Sequence, residues 1–109
     1  MFHMLSCFDL KDGVTVEEFQ AANTRFAEFM REQGLIESIG PVGRRHKHPI
    51  MDTDSERDQA YFFITSFVDR AQCDASADFI MAGSEPGLGI HAAVMEKVVN
   101  SVFVCWEDV

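Results

Sequence analysis

Hydrophobic and polar positions are most regular over residues 59–68, QAYFFITSFV. Read with a period of two, Tyr61, Phe63, Thr65 and Phe67 point one way, and Phe62, Ile64, Ser66 and Val68 the other. Neither side reads as a solvated surface, so this stretch is expected to be the central strand of a sheet covered on both faces. Residues 2–10 show a weaker alternation. Phe2, Met4, Ser6, Phe8 and Leu10 share one side, His3, Leu5, Cys7 and Asp9 the other, and Lys11, Asp12 and Gly13 end the strand.

The period then changes. Thr15 followed three residues later by Glu18 is a capping box, and Val16, Phe19, Ala22, Phe26, Phe29 and Met30 recur at helical spacing until Gly34 supplies a left-handed stop. Residues 35–45, LIESIGPVGRR, predict one bent edge strand, because Gly40, Pro41 and Gly43 interrupt the pattern and proline cannot donate a ladder hydrogen bond. A thirteen-residue polar connection, residues 46–58, leads into the central strand and is long for a hairpin. Asp69 with Gln72 predicts a second helix ending before Gly83, and a turn spans residues 84–89. A short helix over 90–98, broken at Asn100, and a last strand over 102–107 complete the order.

Strand, helix, strand, strand, helix, strand is an α+β, ferredoxin-like split βαβ arrangement (βαββαβ) with a four-stranded antiparallel sheet, in a single domain over residues 1–109. Helices cover only one face of such a sheet. The other face, also apolar, exceeds the patch that a monomer ordinarily exposes, and the expectation is a homodimer through the sheet faces.

Composition narrows the partners. Eighteen acidic against nine basic residues give a net charge of −9, which repels polyanions and excludes nucleic acid and anionic membrane as natural partners. Cys7, Cys73 and Cys105 form no C-x-x-C pair and are odd in number, which fits a reducing, cytoplasmic setting. No stretch approaches the ~18 uninterrupted apolar residues of a spanning helix, and the first residues show no basic segment followed by an apolar run.

Candidate chemistry is sparse. His46 and His48 with Asp52 and Asp54 could form a donor set for a divalent metal. The same segment carries Arg44, Arg45, Lys47 and Arg57 against four carboxylates, so it reads first as a loop that neutralises itself by local pairing, with metal as the alternative. Its spaced acids do not make a calcium loop, since Arg57 stands where glycine is required and Phe63 where glutamate is. Cys7 and Cys105, expected on neighbouring strands, read as inert packing. No phosphate-cradling, nucleophile-elbow or zinc-helix motif occurs.

The strand HMLSCF, the passage YFFITSFVDRAQ, the short helix holding His91 and the closing VFVCWE together resemble the dimeric α+β barrel superfamily, in particular its short bacterial members akin to antibiotic-biosynthesis monooxygenases. The resemblance implies two sheets packed face to face and a cleft between sheet and helices for a small apolar or aromatic molecule. In the haem-degrading relatives a histidine on the short helix before the final strand ligates iron, and His91 in GLGIHAAV stands in the matching segment. Those relatives use an Asn on the first strand, where this chain has Ser6 and Cys7, and a Trp on the second helix, where it has residues such as Ser76 and Phe79. The expectation is therefore no cofactor, with haem as the alternative that the resemblance raises. Within that cleft His91 is the candidate catalytic residue, and His3, Cys7, Tyr61 and Trp106 are the candidate ligand contacts. A small enzyme and a non-catalytic binding or assembly module remain the two function classes.

Overall fold

A computed structural model describes all 109 residues. The chain runs β1 (Phe2–Leu10), α1 (Val16–Glu32), β2 (Ser38–Ile39), β3 (Gly43–Arg44), β4 (Tyr61–Phe67), α2 (Arg70–Ala82), α3 (Gly87–Met95) and β5 (Val98–Glu107). The sheet is antiparallel and ordered β2, β4, β1, β5, with β3 also on β4. It has five strands where the sequence predicts four. The expected bent edge strand is two short pieces that both bond to β4; Gly40 N–H still donates to Ile64 O at 2.8 Å, and the ladder lapses at Pro41, which has no N–H to give.

The helix ends follow local chemistry. Thr15 Oγ1 accepts from Glu18 N–H at 3.1 Å, with Glu17 and Glu18 in the positive first turn of α1. At α2 Asp69 Oδ1 accepts from Gln72 N–H at 2.9 Å as the N-cap, and Gln72 Oε1 accepts at 2.7 Å from the N–H of Val68, one residue before the cap. Gly34 and Gly83 lie at φ 72° and 66°, left-handed positions that end α1 and α2. Two boundaries move from their expected places. The last helix starts at Gly87 and stops at Met95, and Asn100, expected to break it, lies inside β5 at φ 57°, beside the register shift that separates Cys7 from Asp9.

The β1–β4 register runs from Phe2 opposite Phe67 to Phe8 opposite Tyr61, and on β5 Ser6 meets Phe103 while His3 meets Trp106. Opposed residues share a face. Met4, Ser6, Phe63, Thr65, Phe67 and Phe103 therefore look toward the helices, and His3, Leu5, Cys7, Phe62, Ile64, Ser66, Val104 and Trp106 look away. Cys7 and Cys105 fall on opposite faces, since Cys105 is opposite Met4 and Cys7 opposite Val102.

Two buried clusters fill the helix side. Phe8, Phe19, Val94 and Val98 form one, with the Phe8 and Phe19 rings 4.5 Å apart, and Ala27, Met30, Ile36 and Phe67 form the other. Phe19 and Met30 are the most completely buried large side chains. No helix is long and apolar enough to cross a membrane.

Candidate functional site

Between the sheet and the helices the two clusters leave a cavity of about 250 Å³. Its floor is β1 and β4, through Met4, Ser6, Phe63, Thr65 and Phe67; its walls come from α1, α2 and α3, and Phe103 and Met95 stand at its β5 side. No carboxylate, ammonium or guanidinium lines it.

Five polar side chains do. Ser76 donates to Leu35 O and is satisfied. Ser6 is 4% exposed, and its Oγ has no hydrogen-bond partner. Asn23 is 3% exposed and also borders an outer hollow with Gln20, Thr24 and Pro41, and Thr65 is likewise buried. Asn23 arrives there because Phe19, Asn23, Ala27 and Met30 make the buried stripe of α1. His91 is the fifth. Its ring packs 5.1 Å from that of Phe26, and burial pushes its pKa below the ordinary value, favouring neutral imidazole.

The sequence candidates separate into three places. His91 lines the cavity. Tyr61 lies at the far end of the same face, stacked on Phe8 with the Arg44 guanidinium 5.7 Å from its ring centre. His3, Cys7 and Trp106 are on the opposite face. There His3 Nδ1 is 2.9 Å from Ser66 Oγ, its Nε2 is 3.0 Å from Asp108 Oδ1, and its ring lies 5.1 Å from Trp106. The His3 hydrogen bond holds the Asp108 carboxyl below its usual pKa. Of the candidate ligand contacts none borders the cavity, while Ser6, Asn23 and Thr65, which do, are not among them. The signal for Asn23 is in the sequence: an amide four residues from Phe19 and from Ala27, on an otherwise apolar helical stripe.

The 46–58 connection folds back over the second face, where a hollow of about 570 Å³ opens between it and the sheet. Arg45 organises it. Its guanidinium donates from Nε and Nη2 to the two oxygens of Asp52 at 2.8 and 2.7 Å, to Asp54 O at 2.9 Å and to Arg57 O. Arg57 Nη1 pairs with Asp54 Oδ2 at 2.7 Å, and Lys47 Nζ with Asp58 Oδ1 at 2.8 Å. His48 Nδ1 accepts from the N–H groups of Ile50 and Met51. His46, His48, Asp52 and Asp54 thus do not converge, and no group of three or more His, Cys, Asp or Glu side chains is arranged to hold a metal ion. The pKa of Asp52 is lowered chiefly by its hydrogen bond from Arg45, and that of Asp54 by Glu56 N–H. Cys7 lies beneath this connection, and burial raises its thiol pKa against the opposing effect of Arg57 and Arg45.

Haem does not fit the cavity. A cavity of about 150 Å³ is filled by benzene, so 250 Å³ is small for a macrocycle of four linked pyrroles. No cation lines the space to meet two propionates, and Phe26 packs against the one imidazole.

No protein-family model matches the chain, and no curated protein matches its sequence. Solved structures do match. The chain is similar to At3g17210 from Arabidopsis thaliana (TM-score 0.74, 8% identity, covering 100% of this chain and 96% of that one). It is similar to a dimeric ferredoxin-like protein of unknown function from Jannaschia sp. (0.64, 16%, 98% and 98%) and to SnoaB, a cofactor-independent oxygenase from Streptomyces nogalater (0.60, 12%, 98% and 91%). An antibiotic biosynthesis monooxygenase matches at 0.60 and 14% identity, over 100% and 99%. Identities this low speak to fold alone, and the fold is the ferredoxin-like α+β one that these structures share.

Proposed function

We propose that this chain forms a homodimer through the part of its second sheet face that the 46–58 connection leaves exposed and that each protomer binds a small apolar or aromatic molecule between sheet and helices. The observation that carries the binding reading is the uncharged cavity, with the Ser6 hydroxyl left without a protein partner and Asn23 and Thr65 buried in an otherwise apolar wall. Buried polar groups ordinarily find partners, and a pocket of apolar walls with a few convergent polar groups is the general form of a small-molecule site. Dimerisation is supported by Ile64 and Val104, 38% and 39% exposed in the protomer, lying with Leu5 and Trp106 on one sheet face, and by the dimeric proteins that share the fold.

Turnover, where it occurs, falls to His91. It is the one cavity side chain able to accept a proton near neutral pH, in the manner of a general base on a bound hydroxyl. A monooxygenase-like role rests on that histidine and on the oxygenases that share the fold. A second reading, a binding or assembly module without chemistry, is favoured by one feature: His91 has no hydrogen-bonded side chain to orient its ring. The test is a screen of neutral one- and two-ring aromatics by thermal shift, with Ala27→Leu filling the cavity. Ligands that raise the melting temperature of the wild-type chain and not of Ala27→Leu establish the site. Oxygen uptake with a bound phenol, lost in His91→Ala, makes it catalytic. A screen in which no compound stabilises the wild-type chain leaves the assembly module.

A further inference from the structure

Resting on the small-molecule reading, we infer that Ser6 and Asn23 set the specificity of the cavity and select an uncharged molecule of one or two rings that carries a hydroxyl or carbonyl group. Four observations converge on this. The space of about 250 Å³ exceeds what benzene fills by less than a factor of two, which limits the ring count. No charged side chain lines it, so a carboxylate or ammonium on the ligand would be desolvated without a partner, a far larger loss than any single hydrogen bond regains.

Third, a purely apolar guest leaves the wall's own polar atoms unmatched. Asn23 offers two N–H donors and a carbonyl acceptor from α1, and Ser6 offers one donor and two acceptor sites from β1. Both are more than nine-tenths buried, and the Ser6 hydroxyl has no hydrogen-bond partner within the protein. Ser6 also borders a crevice of about 50 Å³ that continues toward Phe8 and Val98, so its hydroxyl stands in the wall shared by the two spaces and reaches the larger one by turning about χ1. Fourth, the only titratable cavity group is held neutral by burial, which leaves nothing to recruit an anion. A hydroxyl or carbonyl satisfies the donors and acceptors of Asn23 and Ser6 together, and the rings occupy the space between Phe26, Phe63 and Phe103.

The test compares naphthalene, 2-naphthol, 2-naphthoate and 1-hydroxypyrene by calorimetric titration at pH 7.5. Expected is 2-naphthol bound about five- to tenfold more tightly than naphthalene, as one hydrogen bond retained in an apolar site gives. 2-Naphthoate should bind at least about a hundredfold more weakly than 2-naphthol, and 1-hydroxypyrene should not compete. Asn23→Leu should bring 2-naphthol to the affinity of naphthalene while naphthalene binding persists, which certifies the fold of the variant; Ser6→Ala should remove part of the preference. Equal affinity of the wild-type chain for naphthalene and 2-naphthol, tight 2-naphthoate binding, or a preference that survives both substitutions overturns the assignment while small-molecule binding stands. Failure of naphthalene and 2-naphthol alike to bind overturns the small-molecule reading itself.

Discussion

The ring of Phe26 lies 5.1 Å from that of His91 at an interplanar angle of 49°, so α1 and α3 are joined across the cavity by an aromatic ring and a half-buried imidazole. Protonating His91 puts a charge into a space without a counter-ion. Its pKa is lowered in the folded chain, so between the folded and unfolded values the unfolded chain holds more protons. The stability this histidine contributes is therefore complete above about pH 6.5 and is lost as pH falls through the folded value. Urea midpoints measured from pH 8 to 5 should fall over that window in the wild-type chain and less steeply in His91→Phe. Parallel profiles would assign the acid sensitivity to other groups.

The carboxylates give a separate, lower window. Asp52, Asp54, Asp58 and Asp108 all have lowered pKa values, from Arg45, Glu56 N–H, Lys47 and His3 respectively, so their contributions stand above about pH 4 and fade below it. Arg45→Ala removes the side chain to which Asp52 and two backbone carbonyls are bound. Hydrogen exchange should speed up across residues 46–58 in that variant, with β1 protection unchanged, and trypsin should cut at Lys47 or Arg57 sooner.

Phe19→Ala should destabilise the chain by about 3–5 kcal/mol in urea denaturation, the usual cost of emptying a fully buried aromatic site. Gly87 tests the reverse error. A methyl there would come within 2.9 Å of the Phe79 ring and 3.2 Å of Phe29, so Gly87→Ala should cost about 1–3 kcal/mol, and Phe79→Leu should recover part of it in the double variant.

Sedimentation should find twice the 12.3 kDa of one chain at micromolar concentration. Ile64→Asp or Val104→Asp should shift the protein to the single-chain mass with its circular dichroism intact, because both side chains are already partly in solvent within the protomer. A wild-type chain that sediments as a monomer removes the face-to-face dimer.

Much of the fold is written in local patterns. β4 alternates cleanly between two apolar sides, and Thr15, Gly34, Asp69 and Gly83 sit where helix ends require them. The misplaced elements are those decided by tertiary pairing. Val98 reads as the tail of a helix until β1 is available to pair with it, and Asn100 reads as a breaker because its positive φ is resolved within the strand. Residues 46–58 have no periodicity, and their fold over the sheet comes from one arginine meeting partners seven to twelve residues away. His91 was legible as a cavity residue through resemblance alone. Asn23 was hidden because an amide on a helix is ordinarily a surface residue, and only the neighbours four positions either side reveal the contrary.

β5 is ten residues long, contains neither proline nor lysine, and ends the sheet with β1 on one side only. Its outer row of N–H and C=O groups is a template for another strand, and from Ser101 to Glu107 it runs without the irregularity that Asn100 introduces. Packing sheet faces together does not cover that edge, and variants kept monomeric by a charged face leave it open as well. Their lifetime on the bench is then set by sheet growth from one chain to the next, with thioflavin fluorescence rising as the square of concentration or faster, rather than by unfolding.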